Sequence, residues 1–169
     1  MTAQSRNPQL TGNVGLSYCC YRLSLLGWNV MPTTRNARGV DIVAYSQDAA
    51  RTLTIQVKSL SKRNPVPLGG TKDKIMGHFW VIVNKIDGAP EKAPCAFIMT
   101  PRQVFDLAVQ GEKDGRVSYW LQPTAYDKVE FAEAWATIGT GFEPCRPRDR
   151  LAARIRTEQR NLTRASGPA

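Results

Sequence analysis

Apolar positions recur every three to four residues at the start of the chain and every second residue after it, which predicts one helix followed by a run of strands. In "GNVGLSYCCYRLSLLGWNV", Val14, Tyr18, Tyr21 or Arg22, and Leu25 fall at helical spacing, and Leu16, Cys19, Cys20, Leu23 and Leu26 widen the apolar face. The spacing predicts a mostly buried helix, with Thr11 as its cap and Gly27 as the left-handed residue that ends it. "WNVMPT" then turns extended. Residues 39–45 and 51–59 alternate apolar and polar positions on either side of a turn-like "SQDAA" and predict a β-hairpin. "HFWVIVN" and "CAFIMT" predict two further buried strands, after which Thr100, Pro101 and Gly111 cap, open and stop a helix over "PRQVFDLAVQG". "RVSYWLQ" predicts another strand. In "YDKVEFAEAWATIG", Phe131, Trp135 and Ile138 at helical spacing predict a last helix, with the core ending near Phe142.

A length of 169 residues fits one α/β domain, residues 1–142, and a tail, residues 143–169. In residues 144–169 seven Arg stand against Asp149 and Glu158, so the tail reads as a basic helix or an unfolded arm. The formal charge of +9 makes a polyanion the expected partner, because clustered Lys and Arg release counterions from nucleic acid. No run approaches the roughly 20 apolar residues of a membrane span, and "MTAQSRNPQLTGN" lacks the apolar core of a signal peptide. A cytoplasmic protein without a membrane partner is expected. The four cysteines show no CxxC spacing and His78 has no second histidine near it, which argues against zinc. Trp80, Trp120 and Trp135 sit in periodic apolar runs and read as core.

The hairpin carries polar residues where a sheet prefers apolar ones. With Gln47 to Ala50 as a four-residue loop, paired positions sum to 97, so Asp41 faces Gln56, Val43 faces Thr54 and Tyr45 faces Thr52. Alternation puts Lys58 on the face of Gln56, while Leu53, Ile55 and Val57 point the other way into the core. One carboxylate, one amide and one ammonium converge at one end of the hairpin. Such a trio suits metal-assisted phosphodiester hydrolysis: Asp41, Gln56 and the Val57 carbonyl as metal ligands, and Lys58 to orient water and offset developing charge. An exposed Asp–Lys pair beside a glutamine has the same spacing, and the spacing leaves both readings open.

An initial helix with "GNVG" near its start and "LLGWNV" after it, then "RGVDIVA", then "IQVK", resembles the PD-(D/E)XK nuclease superfamily. The "D…QxK" form is similar to its Mrr-type branch, and the resemblance covers about residues 12 to 100. It implies a restriction-endonuclease-like α/β core, a mixed sheet flanked by helices in α-β-β-β-α-β order. It also implies Asp41, Gln56 and Lys58 as catalytic residues, Mg²⁺ or Mn²⁺ as cofactor, and DNA as partner, with RNA left open. A symmetric homodimer is implied if the protein makes double-strand breaks. Arg35 and Arg38 before Asp41, and Lys62 and Arg63 after Lys58, are placed to clamp flanking phosphates, in a loop "SKRNPVPLGGTKDKIMG" that reads as exposed and basic.

The sequence departs from the superfamily in one respect. Many relatives carry a glutamate after the helix glycine; here Leu16 follows Gly15, and no acidic residue precedes Asp41. The missing ligands are expected from DNA phosphates, or from Asp73 or Asp87. Two alternatives stand beside the nuclease: an inactive nuclease fold that binds DNA, and a protein-interaction component of a defence or mobile-element system.

Overall fold

A computed structural model describes residues 7–33, 39–86 and 93–142. The first helix, α1 (Pro8–Leu25), starts before Thr11: the Asn7 side chain accepts from the Gln9 N–H, and Pro8 fills the first helical position. Thr11 instead opens the buried stripe, which continues through Gly15, Cys19 and Leu23. Tyr21 and Leu25 are 60% and 59% exposed, so the helix is less buried than expected. The four stripe positions are one turn apart, and two of them, a threonine and a glycine, lack the hydropathy that a pattern search follows. Gly27 ends the helix at φ +85°, and the Phe142 ring lies 2.7 Å from where a Cβ would stand, so a side chain is excluded there.

Strands β1 (Asn29–Pro32), β2 (Ile42–Tyr45) and β3 (Thr52–Ser59) form an antiparallel meander. The expected hairpin register holds, with Val43 opposite Thr54 and Tyr45 opposite Thr52. After β3 come β4 (Val66–Gly69), a 3-10 turn at Lys72–Lys74, then β5 (Phe79–Asn84) and β6 (Cys95–Met99). β5 pairs parallel to β3, and the five-stranded sheet runs β1-β2-β3-β5-β6. The chain is therefore an α/β domain with a mixed sheet, of the restriction-endonuclease-like kind. Its opening follows the expected α-β-β-β order; β4 and the 3-10 turn then precede β5, and the next helix, α2 (Pro101–Leu107), follows β6.

Thr100 caps α2 in a reciprocal box with Gln103, as the sequence indicated, but the helix stops at Leu107 and Gly111 is not its terminator. Residues Val109–Lys113 are strand β7, folded onto β8 (Arg116–Leu121) through Asp114 and Gly115, both at positive φ. That Asp-Gly pair is a hairpin signal. Gly111 serves the sheet, because a Cβ there would stand 2.5 Å from the Trp120 ring. β4, β8 and β7 make a second, three-stranded sheet.

After α3 (Pro123–Tyr126) the chain does not form the expected helix over "YDKVEFAEAWATIG". It lies along the edge of β6, with Phe97 bridged to Ala132 and the Glu133 N–H donating to the Ala96 carbonyl, and then makes a 3-10 turn at Trp135–Ile138. Glu133 at φ +51° turns the chain there. Its carboxylate holds the bend by accepting from the Ala96 N–H, the Trp135 indole and the Arg22 guanidinium. Phe131, Trp135 and Ile138 are nevertheless buried, as their periodicity indicated. The large sheet has a core on each face. α1 covers Ile55, Val81 and Val83, while the second sheet and α2, through Val104, cover Trp80, Ile82 and Phe97. No helix among the described residues is long and apolar enough to cross a membrane.

Candidate active site

β2 begins at Ile42 while β3 continues to Ser59 opposite it, so beyond Ile55 one edge of β3 has no strand beside it. An unpaired strand edge leaves backbone donors and acceptors to be met by other groups. Asp41 meets them. Its N–H donates to the Ile55 carbonyl at 2.9 Å, and its own carbonyl accepts from the Thr33 N–H at 2.9 Å, which fixes the residue between β1 and β3. Oδ2 of its carboxylate then accepts from Gln56 Nε2 at 2.5 Å and from the Val57 N–H at 2.7 Å. The Val57 carbonyl leaves the strand toward the same edge as its N–H, because both groups of a strand residue point one way.

α1 is the opposite wall. Gly15 allows the close approach: a Cβ built on it would lie 2.0 Å from Ser59 Oγ. Between helix and strand lies a cleft of about 310 Å³, lined by Gln9, Gly12, Asn13 and Leu16 of α1 and by Thr33, Asp41, Val57, Lys58 and Ser59. Lys58 is half-buried, and its Nζ lies 5.5 Å from the centre of the Trp80 ring, a cation–π contact. Burial pushes the Lys58 ammonium toward deprotonation; the Asp41 carboxylate opposes that shift, and the charge of Lys74 adds to it.

The structure thus brings Asp41, Gln56, Val57 and Lys58 together. It leaves Lys62 exposed on the loop after β3 and engages Arg63 in an ion pair with Asp127. Arg35, Arg38, Asp87 and the arginine-rich tail lie outside the described residues. Asp73 is exposed on the 3-10 turn and does not line the cleft. His78 is held by Thr54, whose N–H donates to Nδ1 at 3.0 Å. Among the described residues no three His, Cys, Asp or Glu side chains gather as a metal cage.

Four polar residues of the cleft escape sequence reasoning: Gln9, Asn13, Thr33 and Ser59. Gln9 donates from Nε2 to Asn13 Oδ1 at 3.0 Å, one turn apart on α1. Their positions at i and i+4 were visible, but nothing local showed that this edge of the helix faces Asp41. Ser59 continues the face of Val57, and only the fold shows that this face opens into a cleft at its end.

No protein-family model matches the chain, and no curated protein matches it either. A solved structure does: that of a bacterial homing endonuclease, I-Ssp6803I, is similar with a TM-score of 0.51 at 16% sequence identity, over 79% of this chain and 93% of that one. At that identity the likeness is one of fold, and this chain has the α/β fold of a homing endonuclease.

Proposed function

We propose that the chain is a metal-dependent DNA endonuclease of the PD-(D/E)XK type, acting at the cleft between α1 and the open end of β3. The observation that carries the reading is the Asp41 carboxylate, bonded to Gln56 and Val57 at the head of a cleft that Lys58 also lines, on a fold shared with a homing endonuclease. The groups able to hold a cation here are the Asp41 carboxylate, the Gln56 amide oxygen and the Val57 carbonyl. All are oxygens, which suits Mg²⁺ or Mn²⁺ and not a thiophilic ion. Bound there, the ion would polarise the scissile phosphate and lower the pKa of an attacking water. Lys58, whose proton is loosened by burial, orients that water and offsets the charge that develops on the phosphoryl oxygens. The formal charge of +9 supplies the attraction for the DNA backbone, and Lys62, exposed on the loop after β3, adds to it. Double-strand cleavage would bring two copies together as a symmetric dimer.

The test is cleavage of supercoiled plasmid and of a branched oligonucleotide by wild type, Asp41→Ala and Lys58→Ala, with Mg²⁺, Mn²⁺ or a chelator. Metal-dependent cutting that falls by at least about a hundredfold in both variants is expected. A second reading, a DNA-binding module that does not cut, is favoured by Leu16 in the cleft wall and by Asp41 being the single carboxylate among the described residues that line the cleft. It predicts salt-dependent DNA binding, equal in all three proteins, with no cleavage.

A further inference from the structure

We infer that Gln56 is a metal-responsive amide: it donates to Asp41 while no cation is bound and turns over to present its oxygen when a divalent ion enters. The inference rests on the proposed metal site and says how that site changes state. A carboxylate only accepts hydrogen bonds, so at 2.5 Å from Asp41 Oδ2 the amide must present nitrogen; oxygen at that separation would repel. A hard cation reverses the requirement, because it binds the amide through oxygen. The nitrogen and oxygen ends of a primary amide are nearly isosteric. A half-turn about the last side-chain bond exchanges them while β3 stays paired with β5 through Gln56 and Trp80. Gln56 is only 8% exposed, which keeps its amide at the site in either state.

The arrangement gives a reason for glutamine at this position. A glutamate would set two acceptor-only groups against each other whenever the cation was absent, and the pair would hold one proton or push apart. Glutamine lets the end of the hairpin close without a cation, through a hydrogen bond to a charged group, a bond worth more than one between neutral partners. The cation must displace that bond, so the protein alone binds it weakly and DNA phosphate oxygens add what the protein withholds.

The test follows the Gln56 side-chain NH₂ resonances of the full-length wild type by NMR during titration with Mg²⁺, together with the backbone amides of Asp41 and Val57. The inference expects all three to move, the NH₂ pair upfield as its bond to the carboxylate is lost. Movement of Asp41 and Val57 with an unchanged NH₂ pair would overturn the inversion and leave the metal site standing. Absence of movement at all three would overturn both. In parallel, Gln56→Glu should melt below wild type without metal at neutral pH, regain the difference on adding Mg²⁺, and bind Mg²⁺ about tenfold more tightly. Equal melting and equal Mg²⁺ affinity in the two proteins would overturn the inference. Should Gln56→Glu fail to fold in any condition, the wild-type NH₂ resonances decide alone.

Discussion

Lys58 stands under three influences whose signs can be read separately: burial and the Lys74 charge favour loss of its proton, and Asp41 favours keeping it. Removing Lys74 by substitution with methionine should raise the Lys58 titration midpoint, and Asp41→Asn should lower it; both shifts are measurable from lysine side-chain NMR. The stability consequence has a definite sign. Because the folded-state pKa is depressed, the unfolded chain binds more protons between that value and the ordinary lysine pKa, so stability rises with pH across the interval. Lys58→Met should therefore raise the melting temperature at neutral pH, with the gain shrinking as the medium becomes alkaline. Such a stability cost at a residue lining the cleft is what a functional group leaves behind, whereas an ornamental surface lysine would show none. At this scale the sequence was legible where chemistry depends on neighbours in one hairpin. Asp41 and Gln56 meet across fifteen positions and could be paired on paper. Asn13 and Thr33 could not, since they reach the cleft from other elements.

The helix and the open strand define the cleft together, and Gly15 sets their separation. Gly15→Ala places a Cβ against Ser59 Oγ and Cβ, so α1 must lift from β3 or Ser59 must move. Overpacking of this kind costs about 1–3 kcal/mol, to be measured by urea denaturation, and Gly15→Ala combined with Ser59→Gly should recover most of it. Recovery of stability with the proposed DNA cleavage still impaired would show that the width of the cleft matters to that activity as well as to folding. Elements were read best where a short loop fixed the register, as in β2 and β3. They were misread where the deciding partner was remote. Val109–Lys113 continues the helical spacing of α2, yet pairing with β8 makes it a strand. Phe131 and Trp135 have a helical interval, yet the edge of β6 and the bonds of Glu133 hold that segment extended and then tightly turned. β4 contains Pro67 and spans four residues, too short a signal to count as a strand before its partner β8 is known.

For the whole molecule the governing quantity is charge. A protein of +9 that binds DNA through its backbone should lose affinity steeply with salt, with a slope of roughly 0.9 per phosphate contact on a double-logarithmic plot. Replacing the seven arginines of residues 144–169 by glutamine should flatten that slope, as read by fluorescence anisotropy on a labelled duplex. An unchanged slope would assign the phosphate contacts to the domain itself. The fold was legible at this scale in its order of elements up to β3 and in its division into helix-covered sheet faces. The second sheet was not, because β4 and the β7–β8 hairpin are separated in sequence by β5, β6 and α2.

The parallel pairing of β3 with β5 has a kinetic side. β2 and β3 are joined by six residues and can zip on the microsecond scale, whereas β5 reaches β3 only after the long crossover through β4 is closed. The nascent chain should thus acquire its Asp41 to Gln56 bond early and cover Lys58 with Trp80 late. A collapsed intermediate would carry the bonded pair of Asp41 and Gln56 beside a fully hydrated Lys58. Until the crossover closes, that lysine would keep the basicity of an ordinary surface side chain, and the protein would be chemically immature with half of its site already built.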